Sequence, residues 1–131
     1  MTIEHFEQAA VFEWAALMSN RYPALQLLFA IPNAGKRSYR AAAWMRNEGL
    51  KKGVPDMMLP SVYRPGQGND DEYLLPNYAG LFIEMKYGKN KPTEEQLWWI
   101  EALKEEGYRA EICYGADEAI AVIKDYLGIS E

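Results

Sequence analysis

Apolar residues along this chain change period several times, and each change marks an element. Over residues 3–18, Phe6, Ala10, Trp14 and Leu17 recur every three or four positions, which predicts a helix with one buried stripe. Glu7 lies beside that stripe, one turn before Val11. Tyr22-Pro23 ends the helix, because proline disfavours helical backbone in its predecessor. Leu25 to Ile31 is a nearly continuous apolar run and predicts a buried strand. After a turn at Pro32-Asn33-Ala34-Gly35, residues 38–50 predict a basic helix with Ala42, Trp44 and Met45 available for packing. A short strand follows at Pro55-Asp56 and continues through Met57-Met58-Leu59. Gly80 to Lys86 alternates, with Leu81, Ile83 and Met85 on one face and Phe82, Glu84 and Lys86 on the other, as a half-buried strand does.

Past that strand, Thr93 followed three residues later by Gln96 is a capping box opening a helix at 93–106, which Gly107 stops. Trp98, Trp99, Ile100 and Leu103 supply more apolar surface than one helix face needs, so this helix should meet an additional packing partner. Tyr108 to Tyr114 predicts another strand, and Asp117 is placed to cap a last helix whose Ile120, Ile123 and Leu127 share a face. Residues 61–79 carry Pro65, Pro76 and the run Gly66-Gln67-Gly68-Asn69-Asp70-Asp71, and predict a long loop between two antiparallel strands. Asp70, Asp71 and Glu72 there read as a solvated loop tip, since nothing rigid holds them. The order helix, strand, helix, strand, strand, helix, strand, helix describes one α/β domain over residues 1–131, a small mixed sheet flanked by helices.

Composition narrows the chemistry. The single cysteine, Cys113, excludes an intrachain disulfide or cysteine-based zinc site, and in Glu-Ile-Cys-Tyr it reads as a buried strand residue. The single histidine, His5, argues against zinc and against a Ser-His-Asp triad. Any metal should therefore be a hard, oxygen-ligated cation. No apolar run reaches the ~18 residues of a membrane span, and Glu4 and Glu7 stand where a secretory signal is basic, so a cytoplasmic protein with no membrane partner is expected. The net charge of −5 argues against nucleic acid until its distribution is considered. Lys36, Arg37, Arg40, Arg46, Lys51 and Lys52 face one acid, Glu48, between residues 36 and 52, and Lys86, Lys89 and Lys91 form a second basic cluster. A basic surface of this kind suits a phosphate-bearing ligand that approaches from one side.

The candidate chemistry lies where the two short strands meet. Glu84 and Lys86, two apart, project from the same strand face, and Asp56 opens the neighbouring strand. Taken alone, Glu-x-Lys describes a surface ion pair. Two strand-borne carboxylates with the Met85 backbone carbonyl give Mg²⁺ or Mn²⁺ the oxygens it prefers, and Lys86 adds a cation for electrostatic work on a phosphodiester.

Pro55-Asp56 … Glu84-Met85-Lys86 resembles the PD-(D/E)XK nuclease superfamily, and the fuller arrangement is similar to its VRR-NUC branch in the short, stand-alone phage and prophage form. That resemblance also rests on Glu7-Gln8, Phe29-Ala30-Ile31-Pro32-Asn33, Gly53-Val54, Gln96, Gly107-Tyr108 and Cys113-Tyr114-Gly115. It implies a restriction-endonuclease-like fold, Mg²⁺ or Mn²⁺ dependence, and a homodimer that cuts branched DNA, most simply a Holliday-junction resolvase. By position, Asp56 and Glu84 become metal ligands, Lys86 the catalytic lysine and Glu7 the helix-borne acid near the metal; Glu4, three residues away on the same face, competes for that last role. Gln96 matches the family's helix glutamine, although capping explains it equally well. Lys36, Arg37, Arg40, Lys51, Lys52, Lys89 and Lys91 are the expected DNA-binding residues, with Trp98 or the 61–79 loop a candidate dimer contact. A non-catalytic nucleic-acid-binding module of the same fold and a flap-cutting nuclease are the alternatives.

Overall fold

A computed structural model describes residues 2–32, 39–63 and 77–130 of the chain. Lys36 and Arg37, and the part of the 61–79 segment that includes Asp70, Asp71 and Glu72, lie outside the described residues.

Helix α1 (Ile3–Met18) is capped by Thr2, whose hydroxyl accepts from the His5 N–H. Strands β1 (Phe29–Ala30), β2 (Met57–Leu59), β3 (Leu81–Lys86) and β4 (Arg109–Tyr114) form one sheet in that spatial order. β1–β2 and β2–β3 are antiparallel, while β3–β4 is parallel. The intervening helices are α2 (Tyr39–Asn47) and α3 (Glu94–Glu105), and α4 (Ala116–Leu127) closes the chain. A parallel neighbour requires a crossover, which α3 supplies between β3 and β4. This is a mixed α/β architecture, a four-stranded mixed sheet flanked by helices.

The sheet separates two apolar layers. Leu81, Ile83 and Met85 point toward α1 and α4, where Val11, Ala15, Ala119 and Ile123 complete the larger core. Phe82 points the other way and packs with Ile100 of α3 and Ala110 of β4. Every residue of β3 is consequently buried, where the alternation predicted only one buried face. The polar members of that alternation, Glu84 and Lys86, are enclosed with their strand.

Three sequence readings change. The stripe of α1 that enters the core runs through Val11 and Ala15, whereas Phe6 and Leu17 are exposed. Glu7 lies one turn before Val11 on this inward line, which decides its role below. The apolar run at 25–31 is not a continuous buried strand: Pro23–Leu27 is a 3₁₀ turn, and only Phe29–Ala30 pairs, at the sheet edge and exposed. Pro23 starts that turn because its fixed φ suits a helical first residue. The last helix has Gly115, not Asp117, at its N-cap, and Asp117 sits in the first turn, where its charge still suits the helix N-terminus. The capping box at Thr93 and Gln96 forms as predicted. The ends of the long connection are joined by an antiparallel bridge between Tyr63 and Tyr78, with the Tyr126 hydroxyl donating to Ser61 O.

Candidate active site

Glu84 is 3% and Lys86 9% exposed, so this is no surface ion pair. The Lys86 Nζ stands 4.0 Å from Glu84 Oε2, on the strand face that period two assigns to both. Burial raises the Glu84 carboxyl most, with the Asp56 charge and a hydrogen bond from the protonated carboxyl to the Asp56 side chain acting in the same direction. Lys86 opposes these effects and Glu4 adds to them, and the group is pushed up to about 9. Such a carboxyl is poorly accommodated as an anion until a cation joins it.

Strand pairing explains why Asp56 arrives here. β2 runs out of partners at Met57, which faces Ile83, so the next residue along the edge of β3 is supplied by the Asp56 side chain. Asp56 Oδ2 accepts from the Met85 N–H at 2.7 Å, and its backbone carbonyl accepts from Ile31 N–H at 2.8 Å. The carbonyls of Gly80 and Lys86 both turn to the β4 side, where Arg109 and Gly115 N–H groups donate to them. Backbone direction alternates along a strand, so the Met85 carbonyl turns to the Asp56 side together with its own N–H. Two carboxylates and one backbone carbonyl thus share the open stretch of β3 beyond β2, a donor set suited to a hard divalent ion. Among the described residues, no group of three or more His, Cys, Asp or Glu side chains converges as a metal site.

Gln96 both caps α3 and reaches the buried carboxylate. Its backbone N–H donates to Thr93 Oγ1 and its Oε1 accepts from Thr93 N–H, while Nε2 donates to Glu84 Oε2 at 3.2 Å. One amide therefore starts α3 and orients the buried carboxylate. The two acids of α1 separate. Glu7 Oε2 accepts from Ala116 N–H at 2.7 Å, supplying the N-terminal acceptor that α4 lacks in its own cap residue. Glu4 is the α1 acid whose charge acts on Glu84, and Asn90 Nδ2 donates to its Oε1 at 3.2 Å. Asn90 had no sequence signal; its partner is 86 positions away.

Arg40, Lys51, Lys52, Lys89 and Lys91 are all exposed. Lys52 lies 3.6 Å from Glu95 and its carbonyl accepts from Trp99 Nε1, which fastens the 51–53 loop to α3. Cys113 is buried, and burial pushes its thiol up to about 12, in keeping with an inert strand residue. No helix among the described residues is long and apolar enough to cross a membrane.

A buried Glu-x-Lys on a central strand, met by an aspartate from the antiparallel neighbour, defines a nuclease-type domain of restriction-endonuclease-like fold. The chain matches the VRR-NUC domain family over residues 2–117 and belongs to that family. A solved structure described as a VRR_NUC domain protein superposes with a TM-score of 0.71 at 27% identity, covering 99% of this chain and 92% of the other. No curated protein matches the chain.

Proposed function

We propose that this chain is a Mg²⁺- or Mn²⁺-dependent endonuclease that hydrolyses phosphodiester bonds in branched DNA, acting as a homodimer in the manner of a Holliday-junction resolvase. The observation that carries the reading is the burial of Glu84 and Lys86 with the half-buried Asp56 beside them: a core that hides an acid and a lysine gains little in stability from them. Asp56, Glu84 and the Met85 carbonyl fit a hard cation, which when bound supplies positive charge to the phosphodiester and acidifies water. Glu4 takes the helix-borne acid role, and Glu7 holds the β4–α4 turn.

Lys86, 4.0 Å from Glu84, offers positive charge to the phosphorane as negative charge builds on its oxygens. Gln96 fixes the rotamer of Glu84 from α3. Arg40, Lys51, Lys52, Lys89 and Lys91 hold the backbone without reading sequence, so shape selects the substrate. A dimer gives two equivalent sites, which symmetric nicking of a junction requires.

The test is a labelled four-way junction set beside a flap and a linear duplex, with cuts mapped and the protein's mass measured by light scattering. Paired cuts flanking the junction by a dimer support the reading. Flap cutting by a monomer keeps the nuclease and removes the resolvase. Binding without cutting, in either metal, leaves a non-catalytic binding module.

A further inference from the structure

We propose that the recess between the loop at 51–53 and the first turns of α3 is a pocket for an unpaired nucleobase of the substrate strand, stacked on Trp98 with its phosphate at Lys51 and Lys52. The inference rests on the reading of the chain as a nuclease for branched DNA and names the substrate feature that it recognises.

The recess has a volume of ≈ 370 Å³ and is lined by Lys51, Lys52, Glu95, Trp98 and Trp99. That is the small end of the ~300–1,000 Å³ typical of ligand pockets, the scale of a nucleotide and not of a packed protein element. Neither tryptophan belongs to either apolar core among the described residues, and Trp98 is 64% exposed. The two rings stand perpendicular with centroids 5.5 Å apart, an open aromatic corner beside cations. Aromatic faces accept any base, and adjacent lysines hold the backbone, which is how single strands are bound without sequence preference. A second protein copy is a poorer occupant, because three of the five lining side chains are charged and interface centres are depleted in lysine and glutamate.

The two walls of the pocket are fastened to each other and lead to the residues proposed as catalytic. Gly53 has φ +90°, and a Cβ there would lie 2.7 Å from the Glu95 Cβ, so loop and helix meet at backbone distance. The Trp99 indole N–H donates to the Lys52 carbonyl at 3.1 Å. Glu95 engages Lys52 at 3.6 Å, leaving Lys51 as the cation without a described acidic partner. The same two elements deliver Asp56, four residues after Lys52, and Gln96, next to Glu95. Four residues reach at most ~14 Å. At ~3.4 Å of rise per nucleotide, the stacked base falls within about four nucleotides of the scissile phosphate.

The experiment uses flap DNA carrying 2-aminopurine at successive unpaired positions beside the branch, with a linear duplex as control, bound in Ca²⁺. Wild type and Trp98→Phe should quench the probe at one position within about four nucleotides of the mapped cut. Trp98→Ala should restore the emission and lose about tenfold affinity for the flap, with duplex affinity changed less than about twofold. Equal quenching by wild type and Trp98→Ala, or no quenching by either, overturns the pocket while cleavage by wild type keeps the nuclease. Conversion of a dimer to a monomer by Trp98→Ala also overturns it, assigning Trp98 to self-association. Failure of wild type to bind or cut either DNA removes the nuclease reading and the pocket with it.

Discussion

Glu84 links the chemistry of this site to the stability of the fold. Its folded carboxyl is pushed up to about 9 from 4.5, so between those values the folded protein retains a proton that the unfolded chain has released. Stability from this group is complete below about pH 4.5 and declines as pH rises toward about 9. In EDTA the melting temperature should therefore fall between about pH 5 and about pH 8, and Glu84→Gln should flatten that dependence. Excess Mn²⁺ should restore the loss in wild type, because a cation favours the carboxylate. An unchanged slope in Glu84→Gln would place the titration elsewhere.

The α1 acids can be separated in the same way. Glu7→Ala should cost about 1 kcal/mol by uncapping α4, with cleavage per folded molecule changed less than about twofold. Glu4→Ala should leave melting unchanged or raised and slow cleavage about tenfold or more. Thermal unfolding and single-turnover rates on both variants check this, and the opposite pattern would return the metal-side role to Glu7. The sequence made Glu84, Lys86 and Asp56 legible because strand period and an aspartate at a strand start are local signals. It did not distinguish Glu4 from Glu7, since acids three apart share a helix face and their partners, Asn90 and the Ala116 N–H, lie far along the chain.

α3 carries three tasks in its first two turns: the capping box, the bond to Glu84 and the seat of the 51–53 loop. Gln96→Glu isolates the second. Glutamate still completes a capping box, yet it removes the donor to Glu84 and places a like charge against it. Cleavage should fall about tenfold or more, with a lower melting temperature in EDTA than in Mn²⁺. Wild-type rates in this variant would reduce Gln96 to a cap. Gly53→Ala tests the third task, because φ +90° and the 2.7 Å approach to Glu95 admit no side chain. A loss of about 1–3 kcal/mol in chemical denaturation is expected.

At this scale the sequence was legible where periodicity was long, as in α1, α3 and β3. It failed at 25–31, where a short apolar run has no period of its own and Pro23 sets a 3₁₀ turn. It also underestimated the burial of β3, because burial on the polar face comes from α3 crossing over the sheet, a tertiary fact that alternation along one strand does not contain.

At the scale of the whole molecule, one sheet holds two unlike layers. The α1/α4 side is an apolar core, and the α3 side carries a smaller core that gives way to the acids, Lys86 and Gln96 at the end of β3. The exposed lysines belong to two loops, 51–52 before β2 and 89–91 before α3, each a few positions along the chain from Asp56 or Lys86, so a protein of net charge −5 still carries locally basic segments. The order of elements was readable from pattern alone. The joining of Lys52 to α3 and of Asn90 to α1 was not, because both are contacts between residues far apart in the chain.

The central claim is that Asp56, Glu84 and Lys86 form a cation-dependent phosphodiester-cutting site. Its most direct test is cleavage of a labelled four-way junction by wild type and Lys86→Ala in Mg²⁺, Mn²⁺ or EDTA, with circular dichroism showing that both are folded. The account predicts cutting by wild type in at least one metal, none in EDTA, and a loss of about a hundredfold or more in Lys86→Ala. Cutting that persists in EDTA, or a folded Lys86→Ala that cuts at the wild-type rate, would contradict it.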